Sequence, residues 1–174
     1  KNTRSLLWAH RTPPEMSLGV RETAETAVRA GIRGILFTLQ PESVPAAIDA
    51  WLKSLRPAPS PHLDHGELSA TARRGRALFR SDRTGCATCH PQGLFTDRQA
   101  SDVGTAGPLD APGQTFDTPT LVELWRTAPF LHDGSAATLI DVLTRRNPHD
   151  QHGRTSDLTP KEIELLNTGS EAEI

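Results

Sequence analysis

The chain holds only two cysteines, and they stand two residues apart with a histidine directly behind them, in "GCATCHPQGLFTD", Gly85 to Asp97. A pair at this spacing cannot make a disulfide framework, but Cys-x-x-Cys-His is the attachment signature of a c-type haem. Two thioether bonds, from Cys86 and Cys89, fix one porphyrin edge, and His90 then reaches the iron from one face as proximal ligand. This reading constrains the fold more than any other feature does. A chain of 174 residues that is 36% hydrophobic must complete its core around a large apolar disc. The competing readings lack their parts. A structural zinc site wants a fourth ligand and usually a second Cys-x-x-Cys pair, and a thioredoxin-like redox pair wants a βαβ setting.

Helical patterns dominate the rest. Val44, Ala47, Ile48, Trp51, Leu52 and Leu55 repeat at helical spacing, and Ser43 is placed to cap that helix. "RPAPSPH", Arg56 to His62, then breaks the chain with three prolines in five residues. Ser69 is placed to cap a helix through "SATARRGRALF" with Leu68, Ala72, Gly75, Leu78 and Phe79 inward. Small Gly75 and flat Phe79 would let that helix lie against a haem. A further helix is expected over Thr138 to Arg145. The last begins at "TPKE", where Thr159, Pro160 and Glu162 form a capping box with proline at the first helical position. The only strand candidate is "GILFTL", Gly34 to Leu39. Between Gly93 and Phe116 the chain is rich in Gly, Pro, Asp and Thr, and reads as a long ordered loop. The expected fold is mostly α: a cytochrome c-like helical haem domain (68–174), preceded by a Pro-rich connector (57–67) and part of a related unit (1–56).

That related unit shows as a repeat. Asn2 to Val28 aligns without a gap on Asp117 to Leu143, 115 residues on, with seven identities in 27 positions, among them Thr3/Thr118, Arg11/Arg126, Pro14/Pro129, Gly19/Gly134 and Thr23/Thr138. A net charge of -2 gives no bulk attraction to nucleic acid or an anionic membrane. No apolar stretch approaches a transmembrane length, and no signal peptide is visible at "KNTRSLLWAH".

The Cys motif, with "FDTPTLVELWRTAPFLHDGSAATLIDVL" and "LTPKEIELL" after it, resembles the haem-bearing second domain of the bacterial dihaem cytochrome c peroxidases, including the relatives that mature methylamine dehydrogenase. "KNTRSLL" and "AAIDAWLKSLRPAPSP" resemble the closing part of their first domain. The resemblance implies two mostly helical cytochrome c domains with one haem each, and a periplasmic or otherwise exported location. It also implies that Thr127 and Pro129 match positions giving oxygen ligands to a calcium ion. Three departures stand out. The second haem's distal Met position falls here on Arg146; the only Met is Met16, and no Tyr exists to replace it. The first-domain Trp, a candidate relay between haems, is replaced within "MSLG" by Ser17. The chain ends "LLNTGSEAEI", where relatives continue a helix.

The distal ligand is therefore open. His62 and His65 sit in the connector, and His132 belongs to the "HDG" turn, near the haem by resemblance without ligating iron. His152, followed by a turn-forming glycine, is the first candidate; His149 is the second, and an open face the third. Arg126, Arg145 and Arg146 are candidates for pairing with haem propionates, and Trp125 for core or haem packing. Two histidine ligands would suit electron transfer to a redox partner or a second haem domain within a larger polypeptide or complex. An open face, or a catalytic haem upstream, would suit a peroxidase reducing hydrogen peroxide.

Overall fold

A computed structural model describes residues 5–173 of the chain, so Thr3 of the repeat lies outside the described residues. Helices carry nearly all the regular structure. They are α1 (Ala24–Gly34), α2 (Ser43–Ser54), α3 (Ala70–Phe79), the single turn α4 (Cys86–Cys89), α5 (Leu139–Leu143) and α6 (Pro160–Glu173). Two short 3-10 turns cover Ala9–Arg11 and Leu124–Arg126. β1 (Ala100–Ser101) and β2 (Phe116–Asp117) pair antiparallel and close the base of the long loop. Among the described residues, no helix is long and apolar enough to cross a membrane.

Capping explains most helix starts. The Ser69 hydroxyl accepts from Ala72 N at 3.1 Å to open α3. Thr159 and Glu162 form the expected capping box at α6, with Thr159 N donating to Glu162 Oε2 at 2.9 Å and Glu162 N to Thr159 Oγ1 at 3.3 Å. Thr138 and Asp141 make a second box at α5. α6 runs on to Glu173, so the helix continues through the stretch noted as a departure from the relatives.

Two further expectations are corrected. Gly34 to Leu39 forms no strand: α1 ends at Gly34 and Ile35 to Leu39 run on as exposed coil. α1 itself is opened by Thr23, whose hydroxyl accepts from Thr26 N at 3.2 Å. Ser43 does not cap α2; Glu42 holds that position and no side chain caps it. The apolar stripe of α2 is largely exposed. Pro45, Asp49 and Leu52 are its buried residues, while Val44, Ile48 and Trp51 are exposed. A buried ionic network decides this. Asp49 accepts from Arg29 Nη1 at 2.8 Å and meets His10 Nε2 at 3.2 Å, which pins its side of α2 against α1 and the first 3-10 turn.

The main core gathers Phe79, Phe95, Leu124, Leu139 and Leu166. α3 and α6 make the most extensive helix–helix contact of the fold. They cross at Gly75 and Gly169, where a Cβ on Gly75 would stand 1.8 Å from the Leu165 carbonyl oxygen. Gly75 therefore serves the close approach of two backbones, and its expected place beside a haem is corrected: its open side is filled by α6. Buried Glu123 ties the connector to the second half, accepting from Ala58 N at 2.6 Å.

The 115-residue repeat extends to backbone conformation. Trp8 and Glu123 are both left-handed (φ 59° and 61°), as are Met16 and Leu131 (74° and 70°) and Gly19 and Gly134 (62° and 74°). The 3-10 turns, the bridges Glu15↔Arg21 and Phe130↔Ala136, and the two cis prolyl bonds at Pro14 and Pro129 all fall in the same register.

Candidate functional site

The end of α3 delivers the chain to the Cys motif through Thr84, which is fully buried and donates its hydroxyl to Leu78 O at 2.8 Å. Gly85, left-handed at φ 69°, reverses the chain into α4, so Cys86 and Cys89 share one helical turn and His90 follows it. Both thiols are free and half-buried. Burial raises the Cys86 thiol above its ordinary range, with a Thr84 hydrogen bond opposing it. Burial, then the Asp97 charge, does the same for Cys89. An activated redox thiol calls for the opposite shift. Among the described residues, no three His, Cys, Asp or Glu side chains converge as a metal cluster, so the motif lacks a zinc-type ligand set.

His90 is buried, and its Nδ1 lies 2.8 Å from the Phe95 carbonyl oxygen. A carbonyl only accepts, so Nδ1 carries the proton and Nε2 keeps the lone pair a metal needs. Burial holds the imidazole below its usual range, against the pull of Phe95 O and Asp97. The loop that presents Phe95 is fixed on both sides. Asp97 N donates to Cys89 O at 2.8 Å, Thr96 Oγ1 to Thr118 O at 2.6 Å, and Thr120 Oγ1 to Leu94 O at 2.6 Å.

The second histidine loop is sewn to the same place. Arg154 N donates to Thr84 O at 2.8 Å, and a Cβ on Gly153 would meet Cys86 Sγ at 3.4 Å. Buried Asn147 braces it, accepting from His152 N at 2.9 Å and donating to Gly153 O at 2.7 Å, while Asp150 Oδ1 accepts from Thr155 N at 2.8 Å. His152 is thereby held with Nδ1 buried and unpartnered. Burial pushes its pKa down to about 4, and the neighbouring His90 adds to the shift. Asn147, Asp150, Thr84 and the Phe95 carbonyl were not singled out from the sequence. The Asn-Pro dipeptide at Asn147 was the one available signal, as a turn former.

The other expected residues scatter. His62, His65 and His149 are exposed. His132 stacks on Phe116 with ring centroids 3.8 Å apart, and its Nε2 lies 2.8 Å from Asp110 Oδ2. Phe79 packs in the main core, to which Cys86 and Ala87 also attach. Arg126, expected to pair with a haem propionate, donates its Nε to buried Glu123 at 2.8 Å, and Nη2 bonds the same carboxylate. Arg145 pairs with Asp141 on the surface, whereas Arg146 Nε is buried with no hydrogen-bond partner. Trp125 is half-buried under the Arg126 guanidinium. Thr127 donates its hydroxyl to Leu124 O at 3.1 Å.

Two neutral thiols on one turn, a histidine fixed in the metal-binding tautomer and an apolar cluster beside them fit a covalently held c-type haem. The comparisons agree. No protein-family model matches the chain. It is 30% identical over 162 residues to hydrazine synthase subunit gamma of Kuenenia stuttgartiensis, covering 69% of this chain and 46% of that protein. Over 92 residues it is 36% identical to the methylamine utilization protein MauG of Methylorubrum extorquens, covering 46% of this chain and 26% of that protein. The chain thus spans less than half the length of these curated relatives. Among solved structures, a Kuenenia stuttgartiensis hydrazine synthase chain superposes with a TM-score of 0.86 at 26% identity, over 99% of this chain and 72% of that one. A MauG-like protein associated with microbial copper homeostasis shares the fold, with a TM-score of 0.75 at 18% identity over 98% of this chain.

Proposed function

We propose, on the premise that this chain belongs to the dihaem cytochrome c peroxidase-like proteins, that it carries one haem c and passes single electrons. Cys86 and Cys89 would hold the haem, and His90 and His152 would ligate its iron. The observation that carries this reading is His152 itself: an imidazole braced beside His90, with a buried ring nitrogen that no other group uses. A haem in this place supplies a one-electron iron couple, and two imidazoles favour a low-spin iron at lower potential than His/Met ligation does. The chain's own part is to fix the His90 tautomer through Phe95, to hold His152 in position through Asn147, and to keep His90 buried. In this reading, residues 68–174 form the haem domain, 57–67 the connector and 1–56 part of a related unit. Covalent haem attachment goes with an exported, periplasmic location, and the electron partner is a redox protein or a second haem domain.

The test is the absorption spectrum of the haem-loaded chain, with and without carbon monoxide or cyanide. A closed His/His site gives a low-spin spectrum that added ligand leaves unchanged. His152→Ala should open the face and turn the site ligand-binding; a low-spin spectrum that survives this change removes His152 as ligand. Absence of haem mass on Cys86 and Cys89 would overturn the whole reading. The hydrazine synthase relative is a subunit of an enzyme by name, and an enzymatic role is the second reading. In it the chain is part of a peroxide-reducing enzyme, with the catalytic haem upstream or on this haem's open face. Rapid peroxide turnover by this chain alone would select that alternative.

A further inference from the structure

We propose that the groove between α5 and α6 seats an arginine side chain of a partner protein, in the place that Arg29 fills within this chain between α1 and α2. The 115-residue register runs on through both pairs of helices: the caps Thr23 and Thr138 match, and so do Pro45 and Pro160 in the first turns of α2 and α6. In that register Arg29 falls on Thr144, Asp49 on Glu164 and Glu42 on Asp157.

In the first pair the crease is filled from inside. Arg29 Nη1 donates to Glu25 O at 2.9 Å and to Asp49 Oδ2 at 2.8 Å, and its Nε donates to Glu42 Oε1 at 3.0 Å. One guanidinium thereby ties α1 to α2. In the second pair the matching side chain is short. The Thr144 hydroxyl donates to Ile140 O at 2.6 Å, the counterpart of Glu25 O, and leaves the rest of the crease open. The result is a groove of about 550 Å³ whose walls include Ile140, Leu143 and Ile163. The acceptors remain although the cation is gone: Glu164 lines the groove, and Asp157 lies exposed just before α6. The chain's own Arg145, next to Thr144, is held by Asp141.

Apolar walls with a carboxylate at the edge suit one long side chain with an aliphatic stem and a cationic head. A guanidinium meets carboxylates through a planar fork that an ammonium lacks, as Arg29 does in the first pair. The groove also reaches Asn147 and Thr155, the bonded pair that braces the His152 loop. A partner docked there therefore sits behind the candidate distal ligand.

Titration of the haem-loaded chain with N-acetyl-arginine amide, followed by the NMR methyl signals of Ile140, Leu143 and Ile163, tests this. Saturable shifts are expected at these methyls. The neutral N-acetyl-citrulline amide and the N-acetyl-lysine amide should each bind at least several-fold more weakly. Glu164→Gln should weaken the arginine probe by a similar factor. Thr144→Arg should fill the groove as Arg29 does and abolish binding, with an unchanged haem spectrum showing that the fold is kept. Glu164 is exposed, so its variant keeps the test decisive even where Thr144→Arg fails to fold. Absence of any saturable shift overturns the proposal. So does equal binding of either analogue, unweakened binding by Glu164→Gln, or full binding by a folded Thr144→Arg.

Discussion

Helices α2 and α6 start alike and end in opposite surroundings. Each carries a proline in its first turn, and each follows a Thr-capped helix in the same 115-residue register. α6 lies against α3 so closely that glycines are required on both sides of the crossing. α2 touches α1 and a 3-10 turn through Asp49 and Leu52, and shows its apolar residues to solvent. One register thus gives one backbone path in two different environments. Repetition sets caps and turns; burial depends on which neighbour is present to cover the face.

The comparison breaks most readily at the α3–α6 crossing. Gly75→Val places side-chain atoms against the Leu165 backbone, where nothing flexible can yield. A loss of about 3 kcal/mol or more is expected in thermal or denaturant unfolding of the haem-loaded chain. A variant as stable as the parent would show that the two helices do not cross so closely. Next comes the matched pair Leu166→Ala and Trp51→Ala. The first opens a cavity in a sealed core and should cost about 2–5 kcal/mol. The second trims an exposed ring and should cost less than about 1 kcal/mol in this chain. Equal losses would remove the distinction between the two faces. Gly31→Ala reverses the sign: Gly31 lies inside α1 with open space where a Cβ would stand, so the variant should gain about 0.5–1 kcal/mol.

The smallest effect is a matter of charge. Each half holds one carboxylate far below its ordinary range: Glu25, lowered to about 2 chiefly by Lys53, and Glu162, lowered to about 2 chiefly by Arg83. A depressed carboxylate adds stability that is fully present above the unfolded value of 4.5 and is lost as pH falls through the folded value. Melting temperature should therefore drop between pH 4.5 and pH 2, modestly, since both groups face solvent. Lys53→Gln should remove the first half's share of that slope and Arg83→Gln the second's. An unchanged slope in both variants would show that these pairs contribute nothing.

Much of this was legible along the chain because it is local chemistry. Ser69 and the Thr159/Glu162 box state where α3 and α6 begin, and the Cys motif states what must be held and by which histidine. The rest depended on contacts between distant residues. Gly75 read as a haem wall and proved to be a helix crossing, because its partner Gly169 lies on the last helix. The pairing of Arg126 with buried Glu123, three residues earlier in sequence, arises only once the 3-10 turn forms. The α2 stripe was legible as a stripe, but nothing local revealed that Arg29 would draw Asp49 to the inside and leave most of the stripe bare.

The sequence by itself determined the helical class, the caps, the repeat and the covalent haem signature, since each needs only neighbouring residues or fixed spacing. The tertiary structure alone decided that His90 faces Phe95 and keeps Nε2 free, and that His152 rather than His149 is turned inward beside it. It also decided that the same apolar pattern is sealed in α6 and bare in α2. The physical reason is common to all three: hydrogen-bond partners and burial are supplied across the fold, by residues that spacing along the chain does not connect.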